Sequence, residues 1–234
     1  MGITATGEYV VLDESEGLQN YYTTAVAGDS DDHDISDSRL PAAFSSRLTF
    51  YSLMIDEAAL SGYGGDMTDA ASDEGDNVVT VTADPGAEIT DLSLAANAAG
   101  DSFTAYGAGA VSTYSSGHST VDGDEIYFFA DPTNDNIVYG VAGDTVNVLA
   151  DGTDIVLAFF LDEVTNLDGD ITGAKMWAVL MDGYTLAHSD TNDSDDDLDF
   201  TNKLFVAASA QPDFDFAGAP PGNNLFMWFG SLDQ

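Results

Sequence analysis

Short apolar runs separated by polar turns recur along the chain. Residues 78–82 alternate β-branched and polar positions with a period of two, which is typical of a strand with one buried face. The runs 126–130 and 137–139 flank the polar turn 131–136 and predict a β-hairpin, because Asp and Asn side chains bond their local backbone in turns. Residues 174–181 are apolar at nearly every position, as a central strand covered on both faces would be.

The remaining apolar runs are equally short. Further strands are predicted over residues 8–12, 89–94, 145–150, 155–161, 204–207 and 225–229. A short helix is predicted over residues 56–60, and residues 95–116 are predicted to form an irregular crossover. This pattern favours an all-β fold, a Greek-key or jelly-roll-like β-sandwich with long acidic loops and at most one or two short helices. No linker-like change of composition divides the chain, so we expect one domain over residues 1–234.

Composition supports a folded core and excludes several classes of protein. The 234 residues are 44% hydrophobic, with 13 Phe and 10 Tyr, which is ample for a core. The absence of Cys excludes disulfides, thiol nucleophiles and thiolate metal sites. No apolar run of about 18 residues is present, so we expect no membrane insertion. No signal peptide opens the chain, and we read Met1-Gly2 as a start added to a fragment of a longer protein.

The charge changes the picture most. Four Lys and Arg residues against 42 Asp and Glu residues give a formal net charge of −38, which excludes an ordinary nucleic-acid surface or an anionic membrane face. A high-salt cytoplasm or bound divalent cations would each explain the excess of acid. Eight of the acidic residues are Glu and the other 34 are Asp. Short Asp side chains in turns favour Ca²⁺, which takes six to eight oxygen ligands, over a dispersed halophilic surface.

Acidic turns therefore supply the candidate calcium ligands. The run Asp190-Thr-Asn-Asp-Ser194 begins like a helix–loop–helix calcium loop, but Asp195 stands where that loop requires Gly. Several Ca²⁺ sites assembled from turns at the strand ends are predicted instead. The candidate ligands are Asp29, Asp31, Asp122, Asp124, Asp131, Asn134, Asp135, Asp168, Asp170, Asp190, Asp193, Asp195 and Asp197.

Binding is favoured over catalysis. Ser116, His118 and Asp122 are triad residue types, but no nucleophile elbow marks them, and among 42 acids a carboxylate pair arises by chance. We therefore do not expect an enzyme. Loops at the ends of a sandwich, held by metal, would be rigid enough to recognise a ligand. The four rare cations, Arg39, Arg47, Lys175 and Lys203, are either anion contacts or partners in salt bridges within the fold.

Motifs spread over most of the chain resemble the repeat domains of giant RTX adhesins, which Gram-negative bacteria export by type I secretion. The opening motif is Leu12-Asp-Glu-Ser-Glu-Gly-Leu18, and the middle one is the acidic hairpin of residues 122–140. The later motifs are Ala174-Lys-Met-Trp177, Leu186-Ala-His-Ser-Asp190, Asp197-Leu-Asp-Phe-Thr-Asn-Lys203, Phe214-Asp-Phe216 and Pro221-Gly-Asn-Asn-Leu-Phe226.

The resemblance implies a calcium-dependent peptide-binding module that acts at the cell surface in adhesion and biofilm formation. Such modules grip the free C-terminal end of peptides or proteins on other cells, with a Ca²⁺ ion holding the terminal carboxylate. A calcium-rigidified extender domain and a glycan-binding module are the alternatives. We expect a monomer in isolation. The candidate ligand contacts are Asp131, Asp135, Asn136, Tyr139 and His188.

Overall fold

The computed structural model describes residues 2–6, 10, 12, 37–62, 75–143, 151–184, 186–187, 198, 200 and 202–212. Strands dominate these ranges, and the predicted all-β, sandwich-like class is confirmed. The elements in chain order are β1 (Gly2–Ala5), a 3-10 turn (Asp37–Arg39), α1 (Ala42–Phe50), β2 (Ile55–Leu60), β3 (Val79–Thr82), β4 (Ala87–Ala95), β5 (Ser115–Ser119), β6 (Glu125–Ala130), β7 (Ile137–Ala142), β8 (Ile155–Thr165), β9 (Ile171–Met181) and β10 (Phe205–Pro212).

The strands form one large and one small antiparallel sheet. Strands β5 to β9 form a meander in which each strand pairs with the next one along the chain. Strand β3 continues the large sheet beyond β9 and carries β1 at the edge, while β2 pairs with another part of β9. Strands β4 and β10 make the second sheet, although more than 100 residues separate them in the sequence.

Strand β8 shows why the large sheet has apolar residues on both faces. Its neighbouring residues Phe159 and Phe160 point to opposite faces, as the period of a strand requires. Phe159 joins the cluster that includes Leu92 of β4, so it lies between the two sheets. Phe160 joins the cluster that includes Phe44 of α1, which covers the other face. The large sheet is therefore the middle layer of the molecule.

Helix α1 is short and amphipathic. It begins after Pro41, whose fixed φ suits a helix start, and the Ser45 amide bonds the Pro41 carbonyl at 2.9 Å. Phe44 and Leu48 are four residues apart, so they share one face, and both are buried against the sheet. The ring of Phe44 stacks on that of Phe160 with 5.4 Å between centroids. No helix within the described ranges has the length and apolar character needed to cross a membrane.

Most predicted strands that fall in the described ranges are confirmed, and several extend further than the sequence indicated. The short helix predicted over residues 56–60 is wrong: this segment is β2, because its last four side chains are buried where it pairs with β9. The helix lies at Ala42–Phe50 instead. The irregular crossover over residues 95–116 is confirmed as far as β5, which was not predicted. The strands predicted over 8–12, 145–150 and 225–229 lie wholly or mainly outside the described residues.

Gly140 tests the packing of the central strands. A Cβ at this position would lie 2.5 Å from Leu157 Cδ1 and 3.0 Å from Ile126 Cγ2, in the buried core. We expect Gly140→Ala to lower the free energy of unfolding by about 1–3 kcal/mol, because the core has to shift to admit the methyl group. Chemical denaturation measures this loss. Gly107→Ala is the matched control, since its Cβ would meet no atom within 4 Å and should leave stability unchanged. Equal effects of the two substitutions would contradict the packing.

Candidate functional site

An ion pair with a buried carboxylate joins α1 to the turn after β6. Arg47 of α1 bonds Asp131 Oδ2 through Nε at 2.7 Å and Nη2 at 2.6 Å, and the Asp131 side chain is fully buried. The Tyr139 hydroxyl donates to the same oxygen at 2.6 Å. The backbone amide and the hydroxyl of Thr133 donate to Oδ1 at 2.8 and 2.7 Å. Five donors therefore surround one carboxylate.

These bonds shift the protonation equilibria of the group. Burial alone would raise the pKa of Asp131, but the bonds from Tyr139, Thr133 and Arg47 outweigh it and hold the pKa below its usual range. Burial and the bond to Asp131 raise the pKa of Tyr139 well above its usual range. The guanidinium also lies over the rings of Phe50 and Tyr51, 4.6 and 5.4 Å from their centroids. Asp131 is therefore ionised and neutralised by Arg47 at neutral pH.

Asp131 and Tyr139 both belong to this hydrogen-bonded ion pair. The five donors use the acceptor positions of the Asp131 carboxylate, so the structure places it in the ion pair and not at a metal. Tyr139 is completely buried, so its ring does not line a surface of the described structure. Of the two fates predicted for Arg47, the structure gives the salt bridge.

The acidic turns at the two ends of β6 are far apart. Asp122 and Asp124 lie in the turn before this strand, where Gly123 has a φ of +93° and the Asp124 amide bonds the Thr120 hydroxyl. Asp135 lies in the turn after it. A strand of six residues spans about 20 Å, so the two turns cannot contribute to one ion site. Asp122 and Asp124 therefore lie at one end of the sheet and Asp135 lies at the other.

The turn that contains Asp168 and Asp170 is closed by its own side chains. Asn166 accepts the backbone amides of Asp168 and Asp170 on Oδ1, both at 2.9 Å, and donates from Nδ2 to Asp170 Oδ2 at 2.9 Å. The same pattern occurs at Asn97 and Asp101, where the Nδ2 to Oδ2 distance is 2.8 Å. Both turns read Asn-x-x-Gly-Asp in the sequence. In both turns the side chain of the first Asn bonds the local backbone and the Asp that ends the motif.

Asp135 lies in a cluster of like charges at the joint between the two sheets. Leu92 of β4 donates its amide to Glu163 Oε1 at 2.8 Å, and the Leu94 amide reaches the Asp135 carbonyl at 3.4 Å. Asp91 lies on the same strand. Burial raises the pKa of Asp91, and the charges of Asp135 and Glu163 raise it further, to about 6 from its ordinary value of 3.8. Two carboxylates from other elements therefore act on the charge of Asp91 here.

Asn136 adds an oxygen atom to this region. Its backbone carbonyl accepts the Leu161 amide at 2.9 Å, which ties the turn to β8, and its amide bonds Asn134 Oδ1 at 3.0 Å. Its own Oδ1 is buried and has no hydrogen-bond partner among the described residues. A buried oxygen without a donor suits a cation. The oxygens thus have the chemistry that Ca²⁺ prefers, although no three His, Asp or Glu side chains of the described part converge as an assembled metal site.

The remaining candidates lie outside the described residues. They are Asp29, Asp31, His188, Asp190, Asp193, Asp195 and Asp197. Among the described candidates, only Asp135 and Asn136 of one turn come together with further acids. Sequence reasoning missed Asp91 and Glu163 because they lie 44 and 28 residues from Asp135 in the sequence.

The chain matches no protein-family model, no curated protein and no solved structure. The resemblance to RTX adhesin domains therefore stays a prediction that rests on the motifs of the sequence.

Removing Asp131 tests the ion pair. We expect Asp131→Ala to lower the free energy of unfolding by about 3–5 kcal/mol, because Arg47 and Tyr139 lose a buried partner. Since the pKa of Asp131 is lowered in the fold, its contribution is present above the unfolded pKa and is lost as the pH falls through the folded value. The difference in the free energy of unfolding between the wild type and Asp131→Ala should therefore become smaller at acid pH. Denaturant titrations at several pH values measure it.

Asp151→Ala is the matched control for this substitution. Asp151 Oδ1 accepts the amide and hydroxyl of Thr153 in the same way that Asp131 accepts those of Thr133, but Asp151 is exposed. We expect a much smaller loss of stability than at Asp131, because water solvates the exposed carboxylate and its donors. Equal losses at the two positions would show that the turn, and not the ion pair, stabilises this part of the fold.

Proposed function

We propose that this chain is a calcium-dependent ligand-binding module of a secreted bacterial adhesin, and that it holds the free C-terminal carboxylate of a peptide through a bound Ca²⁺ ion. The observation that supports the proposal most is the cluster of Asp91, Asp135 and Glu163, together with the buried, unbonded Oδ1 of Asn136 in the same turn as Asp135. These are hard oxygen donors from β4, β8 and the β6–β7 turn. Their mutual repulsion is the kind of charge that a divalent cation compensates.

The charge of the chain makes a cation necessary for this ligand. A net charge of −38 repels a peptide carboxylate, and Arg47 is already neutralised by Asp131. Lys203 lies near the charge of Glu125, and Lys175 near that of Asp162. A bound Ca²⁺ ion supplies a positive centre with open coordination positions for the carboxylate oxygens. Asp91, Asp135 and Glu163 would hold the ion between the two sheets, and the negative charge of the chain would repel anions that do not bind the ion.

Peptide capture tests the binding activity. We expect peptides with a free C-terminus to bind in calcium, and the same peptides to lose binding when the C-terminus is amidated or when a chelator removes the ion. Isothermal titration calorimetry with each matched pair of peptides measures this. Binding that survives both chelation and amidation would contradict the proposal. Capture of glycans in calcium, with no peptide bound, would favour the glycan-binding alternative, and the absence of any ligand would favour an extender.

Thermal unfolding tests the ion itself. Because an ion that binds only the folded chain stabilises it, about 2.7 kcal/mol is expected per site when free calcium is about 100 times Kd. For a chain of this size the loss corresponds to a fall in Tm of roughly 5–10 °C on chelation. Scanning calorimetry with and without chelator measures the fall. Sodium chloride added in place of calcium is the control, and full recovery of Tm by the salt alone would support a halophilic surface instead.

Asp91→Asn should change Tm in opposite directions in chelator and in calcium. Because the folded chain raises the pKa of Asp91 to about 6, its ionised form destabilises the fold by an amount that grows from about pH 4 to pH 6. In chelator at pH 7.5, Asp91→Asn should raise Tm, and the gain should vanish near pH 4. In calcium the same substitution removes an ion ligand and should lower Tm.

Asp182→Asn provides the control for this substitution, since it removes the same charge from an exposed position outside the cluster. It should change Tm little in either condition. A gain of stability from Asp91→Asn in both calcium and chelator would contradict a calcium ion at this cluster.

A further inference from the structure

A cleft opens where β3 and β9 separate at one end of the large sheet. The two strands are paired only at Val79 with Ala174 and at Thr80 with Gly173. Beyond these pairs, the end of β3 and the beginning of β9 diverge, and the β3–β4 turn faces the β8–β9 turn across the gap. The space between them has a volume of about 480 Å³, which lies within the usual range of about 300–1,000 Å³ for ligand sites.

The floor of the cleft is apolar. Val81 and Ile89 line it and are buried, and Ile171 beside them is half-buried. Thr82 and Thr172 place hydroxyl groups along the sides, and the Thr172 hydroxyl is bonded to the Val164 carbonyl at 3.1 Å. A ligand that enters the cleft therefore meets hydrocarbon at the bottom.

The rim of the cleft carries two carboxylates from opposite walls. Glu88 comes from β4, and Asp170 comes from the turn that precedes β9. Asn166 fixes the orientation of Asp170, because its Nδ2 bonds Asp170 Oδ2 and its Oδ1 accepts the Asp170 amide. Neither Lys nor Arg is among the described residues that line the cleft. The rim is therefore anionic and partly preorganised before any ligand arrives.

We propose that this cleft binds the side chain of a lysine from a partner polypeptide. The four methylene groups of lysine match the apolar floor, and the ammonium group matches the two carboxylates of Glu88 and Asp170 at the rim. A calcium ion fits less well, because it requires six to eight oxygens and the side chains of Val81, Ile89 and Ile171 supply none. This inference goes beyond the calcium-dependent function, since it requires neither a metal ion nor a peptide carboxylate.

Nuclear magnetic resonance tests the lysine cleft directly. The probe is the blocked tripeptide acetyl-Ala-Lys-Ala-amide, which has no terminal carboxylate, titrated into the 234-residue chain in chelator. We expect saturable shifts of the amide signals of Thr82, Ile171 and Thr172. The blocked glutamine peptide, acetyl-Ala-Gln-Ala-amide, should cause none. Because calcium and the carboxylate are both absent, failure here leaves the proposed function untouched, and failure of that function leaves the lysine cleft untouched.

Variants decide whether the effect belongs to the cleft or to the net charge. We expect Glu88→Gln and Asp170→Asn each to weaken binding of the lysine peptide by about two- to fivefold, as for exposed ion pairs. Asp101→Asn is the matched control, because it removes the same charge from the second Asn-x-x-Gly-Asp turn, at a position that does not line the cleft. It should leave the affinity unchanged.

Three outcomes would overturn the inference. Equal weakening by Asp101→Asn and Asp170→Asn would show that the peptide senses only the overall charge. An acetyl-Ala-Arg-Ala-amide probe that binds as tightly as the lysine probe would remove the assignment to lysine. Calcium alone, added without peptide, should not shift the amide signals of Thr82 and Thr172, and a saturable shift would make the cleft a metal site.

Discussion

The buried pair of Arg47 and Asp131 is the interaction on which the outer layer of this molecule depends. Breaking a buried ion pair leaves a charge without a partner in a place where water cannot replace it. Here the pair also orders Tyr139, Thr133 and the helix that covers one face of the large sheet. In a chain with four cationic residues, using one of them in this way fixes where α1 can lie.

Hydrogen bonds to carboxylates help to explain how a net charge of −38 is compatible with a folded chain. Carboxylates near the backbone are stabilised by local donors, as in the Asn-x-x-Gly-Asp turns and the Asp151 turn. Tyrosine hydroxyls do the same at longer range, since Tyr106 donates to Asp154 at 2.5 Å. At these described turns, neutral donors bond the carboxylates. The cluster of Asp91, Asp135 and Glu163 differs from these turns, because burial and the charges of the two neighbouring acids raise the pKa of Asp91.

The sequence predicted what depends on neighbouring residues and missed what depends on distant ones. Alternation revealed β3, and unbroken apolar runs revealed the central strands β8 and β9. Residues 56–60 were misjudged because only their pairing with β9 makes them a strand. Likewise, residue type alone placed Asp131 among the metal ligands, whereas Arg47, 84 residues earlier, decides its role. The joint of Asp91 with Glu163 exists only once β4 packs on β8, so no spacing in the sequence could indicate it.

The position of that joint links stability to ligand binding. Strand β4 is held to the large sheet partly by the bond from the Leu92 amide to Glu163, so the oxygens that would hold an ion also connect the two sheets. Repulsion between Asp91 and its neighbours weakens the contact between β4 and the large sheet, and a cation bound between them would strengthen it. An ion bound there would therefore strengthen the sandwich and present a positive centre at once. A ligand carboxylate that completes the coordination would also raise the stability of the fold, because any ligand that binds only the folded form stabilises it.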